Sequence, residues 1–321
     1  MSILLQKPGI LTTIQDLGRE KYRRFGINPG GVMDSAAARF ANILLGNGDD
    51  TALLEMHFPA PQIVFERNTI ASICGGDFSA ELDGKTVENW RPFFAAAGCE
   101  LKFTAKTAGN RAYLAVKGGF KCDSWLGSSS TNLTARTGGF HGRKLESGDR
   151  LGFDQNREYT TTTIKTKVSP SLIPLYRPFP TVRIIAGAEF ENLDDRGTDL
   201  LLNQDFTISN NSNRMGFRLA GEPLALSRPR EFISSAVSFG TIQLLPDGQL
   251  IVLMADHQTS GGYPRIGHVI TRDLPLISQL GAGDKVAFHL VDIGHAEDLA
   301  AEFERDLNLL RIACKFQSAT W

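Results

Sequence analysis

Short runs of β-branched and aromatic residues, broken every few positions by glycine, proline, asparagine or aspartate, dominate this chain. Residues 62–66 (QIVFE), 69–74 (TIASIC), 113–116 (YLAV), 182–185 (VRII) and 251–254 (IVLM) are of this kind. Such spacing predicts the strands of an all-β barrel or sandwich. The 32 glycines are dispersed, which suits tight turns and bulges and argues against a flexible linker. Helical periodicity is confined to three places. Residues 33–45 (MDSAAARFANILL) can be capped by Asp34 or Ser35 and put Phe40, Ile43 and Leu44 on one face ahead of Gly46. A short helical turn is expected over 273–279. Residues 296–310 place Leu299, Phe303, Leu307 and Leu310 on one face with acidic residues opposite, an amphipathic helix.

One pattern occurs twice. LESGDRLGF at 145–153 is echoed by LGAGDKVAF at 280–288, and each follows a strand pattern and a Gly-Gly pair, Gly118-Gly119 and Gly261-Gly262. A repeated strand, glycine pair and Gly-Asp turn predicts two related β modules in tandem, although Gly-Asp turns also recur by chance in β proteins. Between them, residues 159–180 carry a threonine run at 160–163 and prolines 170, 174, 178 and 180, a composition typical of a connector. The expected division is therefore 1–170 for the N-terminal module and 171–321 for the C-terminal one, which ends in the helix.

Composition narrows the function classes. A hydrophobic content of 42% is ample for a sizeable core in a chain of 321 residues. The formal net charge of −1 supplies no basic footprint for nucleic acid or for a membrane surface. No apolar window reaches the length of a membrane span, and the start, MSILLQKPGI, does not read as a secretion signal. Cys74, Cys99, Cys122 and Cys314 show no CxxC spacing, so reduced thiols in a cytoplasmic protein are expected. No metal-ligand spacing, HExxH or GxSxG occurs, which leaves no metal site or nucleophile elbow to propose.

The chemically richest stretch is 243–263, QLLPDGQLIVLMADHQTSGGY. An apolar strand runs into Asp256, His257, Gln258, Thr259 and Ser260, then Gly261, Gly262 and Tyr263. A buried strand that delivers polar side chains to a glycine-rich turn can hold a rigid site open to a small ligand. Strand alternation would put Asp256 and Gln258 on one face and His257 and Thr259 on the other. Asp256 and His257 then form an acid–base pair only if a bulge intervenes. A second candidate is 23–34, RRFGINPGGVMD, where amides at the helix start, with Arg24 nearby, can make a carboxylate or phosphate pocket; a plain structural turn uses the same glycines. Arg214, in NRMGFRL, can fork onto a substrate carboxylate or serve as a framework ion pair. Polar loops at 128–132 and 136–140 are further candidates. Asp83-Gly84-Lys85-Thr86 ends like a phosphate loop, but Ser79 stands where its first glycine belongs, so a hairpin turn is predicted.

Taken together, TIQDLGREKYRRFGINPGGVMD, LGSSSTNL, GGFHGRKLESGDRL, SNRMGFRLAG, SFGTIQLLPDGQLIVLMADHQTSGGYPRIGHVITRDLP and QLGAGDKVAF resemble, in order, the family of 5-oxoprolinase C subunits. That family is also called allophanate hydrolase subunit 2, KipA-like or biotin-dependent carboxyltransferase-like. The chain departs from the family pattern at Ser129 and at His257. The resemblance implies a mainly β fold of tandem cyclophilin-like β-barrel modules with a few short helices. It further implies a cytoplasmic, heteromeric, ATP-dependent complex with the 5-oxoprolinase A and B subunits (the latter KipI-like) that opens 5-oxoproline to glutamate. Relatives move a carboxyl group from carboxybiotin to urea; this chain lacks a biotinyl Met-Lys-Met, so biotin would arrive on another chain. A third role is regulatory, as an antagonist that binds the KipI-like partner.

Opening a lactam needs fixed donors for the developing charge, for which Arg24, Arg214, Gln258, Thr259 and the amides of Gly261 and Gly262 are candidates. It also needs a base for water, with Asp34 and Asp256 as the candidates. Asn28, Gly30, Gly31, Gln243 and Tyr263 complete the expected substrate contacts. ATP would be bound by another kind of site or by a partner protein.

Overall fold

A computed structural model of the chain describes residues 2–154, 159, 166–228 and 231–318. The threonine run at 160–163 lies outside the described residues. Two compact units are present. The first comprises Met1–Arg19, Gly30–Pro174 and Arg305–Trp321, and the second Glu20–Pro29 and Leu175–Glu304.

The first unit holds β1 (Ser2–Lys7), β2 (Thr12–Gln15), α1 (Ser35–Leu44), β3 (Leu53–His57), β4 (Gln62–Phe65), β5 (Thr69–Asp77), β6 (Ala80–Leu82), β7 (Lys85–Thr86), β8 (Pro92–Ala95), β9 (Glu100–Phe103), β10 (Ala108–Val116) and β11 (Arg150–Gly152). They form a six-stranded sheet, β11-β1-β4-β9-β6-β7, and a five-stranded sheet, β2-β3-β10-β5-β8. Alternation along β1 shows why: Ile3 and Leu5 are fully buried while Ser2 and Leu4 are only partly so. Ile3, Leu5, Ile63, Phe65, Ile73 and Leu114 belong to one core cluster drawn from both sheets. The Asp83-Gly84 turn between β6 and β7 has φ of 49° and 75°, the left-handed pair of a two-residue hairpin, as its sequence predicts.

α1 begins and ends where the sequence predicts. Asp34 is its N-cap and accepts from the Ala37 amide at 2.9 Å, and Gly46 follows with φ 65°. The helix lies against β5 and β10, where the Ser72 hydroxyl donates to the Ala41 carbonyl at 2.7 Å.

The second unit holds β12 (Thr181–Ala186), α2 (Asp195–Asn203), β13 (Phe206–Ile208), β14 (Gly216–Ala220), β15 (Ser235–Ala236), β16 (Thr241–Leu244), β17 (Leu250–Leu253), β18 (Ser260–Gly261), β19 (Arg265–Val269), α3 (Leu274–Ser278), β20 (Lys285–Leu290) and the start of α4 (Ile293–Ser318). Seven strands close a barrel in the order β12-β19-β16-β17-β14-β13-β20, with β12 and β20 parallel. Val182, Ile184, Phe217, Leu219, Ile242, Val252 and Phe288 are buried. Residues from Arg305 onward in α4 group with the first unit, and Phe303, Leu307 and Cys314 are its buried stripe. The helix runs past both ends of the predicted 296–310.

The sequence echo is partly structural. In each copy the carboxylate of the Gly-Asp turn accepts from the amide three residues earlier: Asp149 from Glu146 at 2.8 Å, Asp284 from Gly281 at 2.7 Å. Each turn also exchanges two backbone bonds with one strand residue, Leu5 in the first unit and Ile208 in the second. The glycine pairs differ. Gly118 and Gly119 have φ of 87° and 76°, whereas Gly261 belongs to β18 and neither it nor Gly262 is left-handed.

Candidate functional site

Strand alternation on the barrel builds the site. Along β16, β17 and β14, Ile242 and Leu244, Leu250 and Val252, and Phe217 and Leu219 are the buried apolar set. The residues between them, Gln243, Ile251, Gly216 and Arg218, take the other face. Register aligns Gln243 with Ile251 and Ile251 with Arg218. This row lines a cavity of about 430 Å³ that is also bounded by Asn213, Met215, Gln258 and Tyr263. A neighbouring cavity of about 570 Å³, with Leu224, Leu226, Phe232 and Gly262 in its wall, shares Leu245, Pro246 and Tyr263 with it.

Gln243 is fully buried. Its Nε2 donates to the Tyr263 carbonyl at 3.1 Å, which sets the orientation of the amide, because a carbonyl requires a donor. Its Oε1 is buried without a hydrogen-bond partner. Gly261 makes this arrangement possible. A Cβ there would stand 2.8 Å from Gln243 Nε2, 3.3 Å from Gln243 Oε1 and 3.4 Å from Gln258 Nε2. The two carboxamides therefore converge over bare backbone.

Arg214 and Asp256 do not face the cavity separately; they face each other. Arg214 Nε and Nη2 donate to the two carboxylate oxygens of Asp256 at 2.9 and 3.1 Å. Asn28 Nδ2 donates to the Asp256 carbonyl at 3.3 Å. Backbone bonds from Asp256 to Arg214 (2.8 Å) and from Met254 to Met215 (3.0 Å) run beside the pair. The expected strand alternation across 256–259 is replaced by a turn, because β17 ends at Leu253 and the His257 amide donates back to the Met254 carbonyl. His257 is buried and Gln258 exposed. The His257 Nδ1 lies 2.5 Å from the Gln258 carbonyl, so that nitrogen carries the proton. Burial holds the His257 imidazole below its ordinary pKa. The Thr259 carbonyl accepts from Val237, and Gly261 pairs with Ser235 in the β15–β18 ladder.

The stretch 23–34 is divided between the units. Arg24 and Asn28 belong to the second; Gly30, Gly31 and Asp34 belong to the first. Arg24 is exposed, its guanidinium 4.7 Å from the Phe25 ring. Gly31, at φ 95°, is required because a Cβ would lie 2.9 Å from the Leu17 backbone. The amides entering α1 address internal acceptors. Val32 donates to the Asp16 carbonyl at 2.9 Å, Met33 to the Glu55 carboxylate at 2.8 Å and Asp34 to the Tyr113 hydroxyl at 2.8 Å. The carboxylate at this helix start is thus the protein's own. Asp34 is fully buried as the cap.

Two groups escape the sequence reading. Arg218 is exposed on the cavity row with no ion-pair partner among the described residues; the alternation of Gly216-Phe217-Arg218-Leu219 is the signal for it. Asp16 organises the serine loop, accepting from the Ser128 and Ser130 hydroxyls at 2.7 and 2.6 Å and from the Gly18 amide at 2.8 Å.

A family model described as carboxyltransferase domain, subdomain A and B, matches residues 25–290. The chain belongs to this family. Among carboxyltransferase-domain relatives, the 5-oxoprolinase C subunit of Haemophilus influenzae is 35% identical over 93% of this chain and 94% of its own length. The Escherichia coli 5-oxoprolinase C subunit is 33% identical over 97% and 98%. The urea amidolyase crystal structure from K. lactis superposes with a TM-score of 0.89 at 26% identity, covering 96% of this chain but 20% of that one. The mainly β fold with its closed barrel is therefore that of the carboxyltransferase-domain family. No helix among the described residues is long and apolar enough to cross a membrane.

Proposed function

We propose that this chain is the C subunit of an ATP-dependent 5-oxoprolinase and works only with the A and B subunits, in the cytoplasm, to open 5-oxoproline to glutamate. The observation that supports this reading is sequence similarity sustained over most of both chains. Identity is 35% and 33% to two 5-oxoprolinase C subunits over 94% and 98% of their lengths, against 26% to the urea amidolyase from K. lactis. A resonance-stabilised amide resists water, so the complex must activate it with ATP. Residues 83–86 form a β-hairpin, and no phosphate-cradling loop leads from them into a helix, so they do not fit ATP. ATP is then bound at another kind of site or by a partner protein of the complex.

A second reading, carboxyl transfer from carboxybiotin to a urea-like substrate, draws on the family description and the high structural similarity to urea amidolyase. In it, biotin arrives on another chain. Glutamate release from 5-oxoproline and ATP, with this chain and its A and B partners each omitted in turn, separates the readings. Loss of turnover on omitting this chain supports the first. A stable complex without turnover points to carboxyl transfer or to a regulatory antagonist.

A further inference from the structure

Gln243 Oε1 is an acceptor with nothing to accept from, and Gln258 Nε2 is a donor that converges with it over Gly261. An acceptor beside a donor is the complement of a cis-amide, which offers an N–H and a C=O on the same edge. A buried acceptor left unpaired carries a desolvation cost that a ligand N–H would remove. Gln258 and Tyr263 are exposed and line the same cavity as the buried Gln243. The same cavity holds Arg218, whose guanidinium has no carboxylate of its own among the described residues. These groups all belong to the second unit.

We infer that this cavity is the substrate-recognition subsite. Gln243 accepts the amide N–H, Gln258 donates to the amide oxygen, and Arg218 binds a carboxylate carried on the same small molecule. The ligand class is a lactam carboxylate. This rests on the 5-oxoprolinase reading and sharpens it, because urea has the amide edge and lacks the carboxylate. Arg218 is then the residue that separates the two substrate classes. The pocket of about 430 Å³ has ample room for a five-membered ring.

The test uses four probes: 5-oxoproline, 2-pyrrolidinone (the lactam without the carboxylate), proline (the carboxylate without the lactam) and urea. Affinities are measured by calorimetry on the full chain, and KM on the complete complex of all three proteins. Wild type should prefer 5-oxoproline to the other three. Arg218→Gln should weaken 5-oxoproline by about ten- to a hundredfold and leave 2-pyrrolidinone unchanged. Gln258→Met should weaken both lactams alike by about tenfold and leave proline unchanged. Arg218 and Gln258 are exposed, so both variants should fold, which circular dichroism checks. The inference is overturned if both variants keep wild-type affinity and KM, if Arg218→Gln weakens both lactams equally, if urea binds more tightly than 5-oxoproline, or if neither chain nor complex binds a lactam. Failure here is distinguishable from failure of the functional reading. Turnover of 5-oxoproline with unaltered KM in both variants sinks the subsite alone, whereas discriminating lactam binding without turnover sinks the reaction alone.

Discussion

Arg214 and Asp256, 42 residues apart, form a two-point fork that is largely shielded from solvent. By sequence each is a candidate for substrate, one as a carboxylate clamp and the other as a base. In the fold each satisfies the other, and the pair fixes the turn that carries His257 and Gln258 beside the Asn213-Arg214-Met215 segment.

That relationship predicts an asymmetric cost. Asp256→Ala removes the two-point carboxylate partner of a guanidinium that is 9% exposed and should destabilise the chain by about 2–3 kcal/mol in urea unfolding. The double variant Arg214→Met with Asp256→Ala should cost less than the sum of the single changes, since each single change already breaks the shared fork. Additive costs would show that the pair is not coupled.

Gly261 offers a sharper probe of the cavity. Its backbone is compatible with alanine, but the new Cβ would stand 2.8 Å from Gln243 Nε2 and must push the amide aside. Gly261→Ala in the complete complex should raise KM for 5-oxoproline by about tenfold, the loss of one or two hydrogen bonds, with little change in the unfolding midpoint. An unaltered KM would remove Gln243 from the list of substrate contacts.

Asp34 can be separated from catalysis by its cap. Asp34→Ala should lose about 1–2 kcal/mol, and Asp34→Ser should recover most of it, because a hydroxyl also accepts from the Ala37 amide. Glutamate release by the complex carrying Asp34→Ser should stay near wild type. A stable but inactive Asp34→Ser protein would instead restore Asp34 as the general base.

Burial lowers the pKa of His257, and burial together with the charge on His257 lowers that of His268. An unfolded histidine titrates near 6.5. Well above that pH both states are neutral and the stability is fully present. As the pH falls through 6.5 toward the depressed folded values, the unfolded chain takes up protons that the folded chain refuses, so stability falls. Urea midpoints at pH 7.5 and 5.5 should differ in that sense, and His257→Gln should shrink the difference. An equal difference in the variant would show that His257 does not contribute to it.

The sequence by itself determined what is local. Period-two runs became strands, the spacing of Phe40, Ile43 and Leu44 became α1, Asp34 capped it, and the two Gly-Asp turns took the same geometry. These features follow from sterics and hydrogen bonds between residues a few positions apart, which a sequence displays directly. Candidates near Gln243, Gln258 and Tyr263 were legible for the same reason, since polar residues interrupt an apolar strand pattern there. Tertiary structure decided the partners. Glu55 meets the Met33 amide, Asp256 takes Arg214, and Glu20–Pro29 groups with the second unit, each across tens or hundreds of residues. Arg218 joins Gln243 only because β14 and β16 both pair with β17 in one particular register. A slip of one residue would send either side chain to the other face, and nothing in the local pattern states which strands will meet.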